Sequence, residues 1–170
     1  MKVRLDAIDW KILAALQSDG RMTNVELARR AGISAPPSLR RVRALEQSGI
    51  INGYRTLLNE KELGYDLTAF AFVGLKSQTE ADLVDFEERL RGWDVVRDAW
   101  MISGETDFIL FCMADTLRTF QTFVIETLTT ADNVASVRTA LTIRQSKDEP
   151  RVPMPAAASA ATNSDLRATA

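Results

Sequence analysis

The sequence predicts an α+β chain in two parts, three short helices and then a β-α-β-β-α-β alternation, and three observations carry that reading. Apolar residues recur at helical spacing as far as about residue 48 and pass into strand-like runs from residue 67 onward. Capping and turn residues (Asp, Thr, Ser, Gly) stand at the joints between these segments. The charge also divides: residues 1–58 hold ten Lys and Arg against five Asp and Glu, whereas residues 59–170 hold eleven against eighteen. A basic head on an acidic body points to a polyanionic partner for the head alone.

Asp6 reads as the N-cap of the first helix, with Ile8, Ile12 and Leu16 at helical spacing, Leu13 beside them and Asp19-Gly20 as the stop. Thr23 and Glu26 have the spacing of a reciprocal capping box. In the second helix Val25, Ala28 and Ala31 line one face with Leu27 alongside, and Gly32 fits the left-handed position after it. Ile33 is an apolar plug in the turn. Ser34 then caps a third helix whose first turn tolerates Pro36 and Pro37, and which runs to about Ser48 before Gly49. Helix, glycine-containing turn, helix is the spacing of a helix-turn-helix unit, here about residues 24–43, within an N-terminal winged helix-turn-helix domain at residues 1–60. Ile50 to Tyr54 is a short extended piece, and residues 61–66 form a linker after a possible cap at Asn59.

In the second part Leu67 to Leu75, Val95 to Ile102, Asp107 to Met113 and Val134 to Ile143 read as strands. Thr79 caps a helix with Leu83, Phe86 and Leu90 on its buried stripe, and Thr116 caps another carrying Leu117, Phe120, Phe123, Val124 and Leu128. That order is the ferredoxin-like βαββαβ arrangement, placed at residues 67–146. Both faces of Leu67 to Leu75 are largely apolar, and Phe108 to Met113 has no polar face. Two helices cover only one face of such a sheet, so a second copy of the chain is expected on the other. Pro- and Ala-rich residues 151–170 read as a disordered tail.

The third helix carries the chemistry. Leu39, Val42, Leu45 and Glu46 fall on one side, the first three toward the core, which centres the exposed side near Arg40 and Ala44 with Arg41 and Arg43 flanking. Arginine presents paired donors that match guanine or phosphate, so these positions are expected to meet double-stranded DNA. Ser38 adds a contact at the helix start, and Tyr54 and Arg55 reach the flanking backbone. The bland alternative is that Arg40, Arg41 and Arg43 form a solvated face and pair with nearby acids.

These stretches also carry a resemblance. Residues 6–13 (DAIDWKIL), 24–28 (NVELA), 32–34 (GIS) and 41–54 (RVRALEQSGIINGY) resemble the Lrp/AsnC, or feast/famine, transcription regulators. Ser103, Gly104, Glu105, Thr106 and Asp107 resemble that family's glycine-to-aspartate turn in its sensor domain. The similarity spans about residues 5–146, and Pro36-Pro37 varies the usual single proline, which leaves the target sequence open. It implies homodimers that can build octamers, and an amino-acid effector near subunit contacts, with Thr139 as a further contact. From the residues themselves, backbone N–H groups around Gly104 suit a carboxylate and Asp107 suits an ammonium. The alternative is a tight turn whose Asp107 satisfies backbone donors.

Other classes fare worse. The chain has no histidine, which removes the commonest general base and haem ligand, and it shows no zinc cluster or P-loop. It is therefore expected not to be an enzyme and to need no metal or cofactor. The rival readings are a non-catalytic relative of sirohaem decarboxylases and a metabolite-binding assembly protein with little DNA specificity. An acidic second half without basic aromatic strand motifs argues against RNA binding. No run approaches the roughly 20 apolar residues of a membrane span. The first residues do not read as a secretory signal, and Cys112 is the only cysteine, so a cytoplasmic location is expected.

Overall fold

The computed structural model describes residues 4–149 and 152–155. They fall into two compact units: residues 4–57 with the described residues from 147 onward, and Leu58–Ser146. The first holds α1 (Ala7–Ser18), α2 (Asn24–Ala31) and α3 (Ala35–Gln47). The capping box sits at α1 rather than α2. Asp6 accepts from the backbone N–H groups of Ile8 and Asp9, and the Asp9 carboxylate accepts from the N–H of Asp6. Thr23 caps Glu26 one way only, because the Glu26 carboxylate turns to Arg29 and Arg30. Ser34 is the N-cap of α3, but its side chain makes no capping bond.

Ile12, Ala15, Leu27, Ala31 and Leu45 form the core of this unit. Two expected core positions lie outside it. Val25 is 73% exposed and Leu39 is 40% exposed. Leu27, Ala28 and Ala31 are the buried face of α2, and in α3 Ser38 occupies the inner position that Leu39 was expected to fill. Gly32 turns the chain between α2 and α3 at φ 74°, a left-handed conformation in which a Cβ would be strained. Residues 51–58 make no strand within the chain.

The second unit opens with a 3₁₀ turn (Lys61–Leu63) and continues as β1 (Leu67–Leu75), α4 (Glu80–Arg91), β2 (Val96–Met101), β3 (Phe108–Ala114), α5 (Leu117–Thr122) and β4 (Val134–Leu141). Strand order is β2-β3-β1-β4 with every neighbouring pair antiparallel. Thr79 and Thr116 cap α4 and α5, as expected. The helix expected to run from Thr116 through Leu128 changes character after Thr122, where Phe123–Leu128 widens into a π-helix. Phe123 and Leu128 are five residues apart, and the wider i→i+5 turn keeps both buried.

Ala69, Ala71, Val73, Phe108, Leu110 and Cys112 face the helices and pack with Phe86, Phe120, Phe123 and Leu128. Trp93 links α4 to the turn after α5, edge-on to Phe86 at 5.8 Å and to Phe123 at 5.6 Å. Burial pushes the Cys112 thiol up to about 12, so it behaves as a small core hydrophobe. Phe70, Phe72, Ile109 and Phe111 project from the opposite face and stay partly exposed. No helix among the described residues is long and apolar enough to cross a membrane. Most of the expected tail lies outside the described residues, apart from 152–155, where the Val152 carbonyl accepts from Gln17.

Leu110, fully buried in the central part of β3, gives a direct check on this core. Leu110→Ala is expected to lower the stability of the second unit by about 2–5 kcal/mol through lost transfer energy and a residual cavity. Urea unfolding followed by circular dichroism measures it.

Candidate nucleic-acid interface and effector turn

Rotation of α3 decides which of its residues face outward. Ser38 is completely buried and its hydroxyl has no hydrogen-bond partner, so the expected DNA contact by Ser38 does not hold in this conformation. Ser38 and Leu45, seven residues apart, share the inner face. Arg41 lies on the same side. Its Nη1 donates to Asp6 Oδ2 at 2.8 Å and to Asp9 Oδ1 at 2.7 Å, and the side chain is only 29% exposed. The expectation that Arg41 flanks the exposed surface is corrected: its charge is used between α3 and α1. The two carboxylates hold the Arg41 guanidinium above its ordinary value, with Asp9 the stronger influence.

Arg40, Arg43 and Ala44 are exposed, and neither arginine makes an ion pair among the described residues. With Pro36, Leu39 and Gln47 they line a shallow hollow of about 340 Å³ along the outer face of α3. Leu39 and Gln47 are surface residues that reading the sequence missed. Leu39 fits the apolar spacing of Val42 and Leu45 as well as Ser38 does, and an apolar residue was given the core by default. Tyr54 is half-exposed and donates to Glu46 Oε1 at 3.0 Å, which places it against the end of α3. Burial first, and this hydrogen bond second, raise its hydroxyl above the ordinary tyrosine value. Arg55 is exposed.

In the second unit the turn is formed by Ser103, Gly104, Glu105 and Thr106, with Gly104 at φ 137°. Asp107 closes it with both carboxylate oxygens engaged. Oδ2 accepts from the Leu75 backbone at 2.6 Å, and Oδ1 accepts from the Gln78 amide at 2.7 Å. Its own N–H donates to the Val73 carbonyl. Asp107 therefore ties the end of β1 to the start of β3, which is the structural alternative raised above. Thr139 is not brought to the turn within one chain. It pairs with Ala71 on β4, two strands across from β3, or roughly 10 Å by ordinary strand spacing. Two hollows of this unit are lined by other residues, one of about 350 Å³ between α4 and β2 and one of about 670 Å³ beside Leu63, Tyr65 and Met113.

A three-helix unit with an unpaired basic helix face, joined to an antiparallel βαββαβ unit, defines a DNA-binding class of protein with a separate second domain. Comparison with known proteins makes the class specific. Residues 5–52 match the winged helix-turn-helix DNA-binding family model and residues 68–152 match the Lrp/AsnC ligand binding domain. The chain is 63% identical to a leucine-responsive regulatory protein of Rhizobium meliloti over 148 residues, covering 87% of this chain and 95% of that one. It is 38% identical to the Bkd operon transcriptional regulator of Pseudomonas aeruginosa, covering 82% and 92%. Among solved structures, a transcriptional regulator of Neisseria meningitidis in complex with L-Met superposes with a TM-score of 0.84 at 34% identity, covering 88% of this chain and 97% of that one. E. coli AsnC superposes at 0.79 with 28% identity, covering 86% and 97%. The chain belongs to the Lrp/AsnC family of transcriptional regulators and is a ligand-modulated regulator with a helix-turn-helix DNA-binding domain.

The α2 ion pairs set a pH dependence. Hydrogen bonds from Arg29 and then Arg30 lower the Glu26 carboxyl from 4.5 to about 2. A depressed folded value means the contribution is complete above the unfolded value and is lost as the pH falls from 4.5 toward about 2. Melting temperatures of the wild type and Glu26→Gln are thus expected to differ slightly at neutral pH and to converge at low pH. High salt should narrow the gap at every pH, because the pairs are surface-exposed.

Proposed function

We propose that the chain is a non-enzymatic, sequence-specific regulator that binds double-stranded DNA through the outer face of α3 as a homodimer or a larger assembly such as an octamer. The observation that carries this reading is that Arg40 and Arg43 are exposed, with no ion pair among the described residues, on a helix whose other side is packed into the core. Arg40 and Arg43 supply donors for guanine edges or phosphate, Leu39 and Ala44 offer apolar contact for thymine methyl groups, and Arg55 meets flanking phosphates. Tyr54 supports the helix end and stands near enough to share that backbone contact. In this reading residues 1–60 are the reading head, 61–66 the linker and 67–146 the sensing and assembly domain, with 151–170 a tail outside both domains. The location is cytoplasmic.

Assembly follows from β1. Its side chains toward the helices are the small Ala69 and Ala71, while the bulky Phe70 and Phe72 point to the other face, joined there by Ile109 and Phe111. Phe70 and Phe111 sit with ring centroids 5.5 Å apart, and Arg138 lies 4.8 Å over the ring of Phe72. Aromatic side chains gathered on a face that stays partly exposed among the described residues favour a second copy there.

The effector is an amino acid or a related small molecule, the class named for the Neisseria relative. Ser103, Gly104, Glu105 and Thr106 supply the backbone around it, and Asp107 holds the turn in shape rather than donating its whole charge to the ligand. A site that includes Thr139 as well takes the turn from one chain and Thr139 from another.

Two measurements test this. Arg40→Ala and Arg43→Ala are each expected to cost on the order of 1–3 kcal/mol of binding to a selected duplex if they read bases. If they neutralise phosphates, each instead lowers the salt slope by about one. Retained wild-type affinity and slope in both variants refutes the interface. Calorimetry with the protein amino acids should show binding that Gly104→Val abolishes, and a panel with no binder refutes the effector assignment.

A further inference from the structure

The pairing of Arg41 with two acids of another helix is not needed to fill the core or to touch DNA, and its geometry is specific. Asp6 and Asp9 each divide their two oxygens between two tasks. Asp6 Oδ1 and Asp9 Oδ2 cap α1, by accepting from the N–H groups of Ile8 and Asp9 and of Asp6 respectively. The remaining pair, Asp6 Oδ2 and Asp9 Oδ1, converges on the single nitrogen Nη1 of Arg41. Asp9 and Arg41 are both largely withdrawn from solvent, at 15% and 29% side-chain exposure, so the pair is screened less than a surface bridge.

We propose that Arg41 is a positioning residue for DNA reading: clamped by Asp6 and Asp9, it fixes the rotation of α3 so that Arg40 and Arg43 face outward. The proposal rests on α3 being the reading helix. Arg40 and Arg43 lie one and two residues from Arg41, so any roll of α3 swings both directly. Packing on α2 holds one side of α3, but apolar packing between α1 and α3 is slight. α1 meets α3 over a shorter stretch than either meets α2, and Ser38, a small side chain with no partner, occupies the inner face. Directed hydrogen bonds to a fixed helix terminus supply the missing angular restraint.

The proposal has a sign that electrostatics alone does not share. Asp9→Asn keeps an oxygen to cap Asp6 and removes a negative charge from the basic head. By charge alone, that tightens binding to any DNA. By the clamp, it releases Arg41 and weakens binding to the cognate sequence. The test uses the full chain, a duplex selected by the wild type from a genomic-fragment library, and a random-sequence duplex of equal length. Asp9→Asn is expected to weaken the selected duplex roughly tenfold, comparable to losing one base contact, while binding to the random duplex is unchanged or slightly tighter. Arg41→Lys, which leaves the cap intact but loses the planar fork, is expected to give an intermediate loss of selected-to-random preference. Arg41→Gln should leave the salt slope on the random duplex unaltered. Unchanged or tighter selected binding by Asp9→Asn overturns the clamp, as does a slope lowered by about one in Arg41→Gln, which makes Arg41 a phosphate contact. Circular dichroism checks the fold, and if Asp9→Asn loses helix the Arg41→Lys preference decides alone. Arg40→Ala and Arg43→Ala in the same series separate the two levels. If they bind as the wild type does, the reading helix itself is wrong, whereas their loss beside an undiminished Asp9→Asn removes only the clamp.

Discussion

A four-stranded antiparallel sheet with two helices on one side leaves its other, apolar face partly exposed among the described residues, and much of the second unit is arranged around that constraint. The central strand β1 makes it acute. Its inner positions are held to Ala69, Ala71 and Val73, which leave room for the aromatic cluster of Phe86, Phe108, Trp93 and Phe123 beneath α4 and the turn after α5. Its large rings, Phe70 and Phe72, stand on the open side. A monomer would leave those rings in contact with water, at a cost proportional to their area. How apolar that face is thus depends on how side-chain volume is distributed across the sheet, not only on total hydrophobicity.

Charge in the first unit is organised with similar economy. Of its arginines, Arg29 and Arg30 share Glu26 along α2, and Arg41 reaches across to α1. Arg40 and Arg43, on the outer face of α3, are exposed and make no ion pair among the described residues. A net positive head would attract DNA under many arrangements, but only a helix fixed in rotation converts attraction into base reading. In the second unit Asp107 has a parallel role, since it joins two strands at the mouth of the turn and leaves the glycine backbone to face outward. In both units a charged group of a functional residue type holds its neighbours in place.

What the sequence by itself determined was local. The strands, the Thr79 and Thr116 caps, the left-handed Gly32 and the βαββαβ order were legible because period-two patterns and capping bonds depend on residues a few positions apart. The family likeness was legible for the same reason, as ordered runs of residues. The π-helical turn at Phe123–Leu128 was not, because it answers to burial against the sheet.

The tertiary structure alone decided how α3 is rolled, and with it which residues line its outer face. Ser38-Val42-Leu45 and Leu39-Val42-Leu45 are equally good helical stripes, and hydrophobicity favoured the wrong one. Ser38 lies inward on the side of α3 where Arg41 donates to Asp6 and Asp9, thirty-five and thirty-two residues away in sequence. Likewise Thr139 and Asp107, linked by resemblance, are held apart by β1 within one chain. Pairings of that range are set by how helices and strands come together in space, and no spacing rule along the chain encodes them.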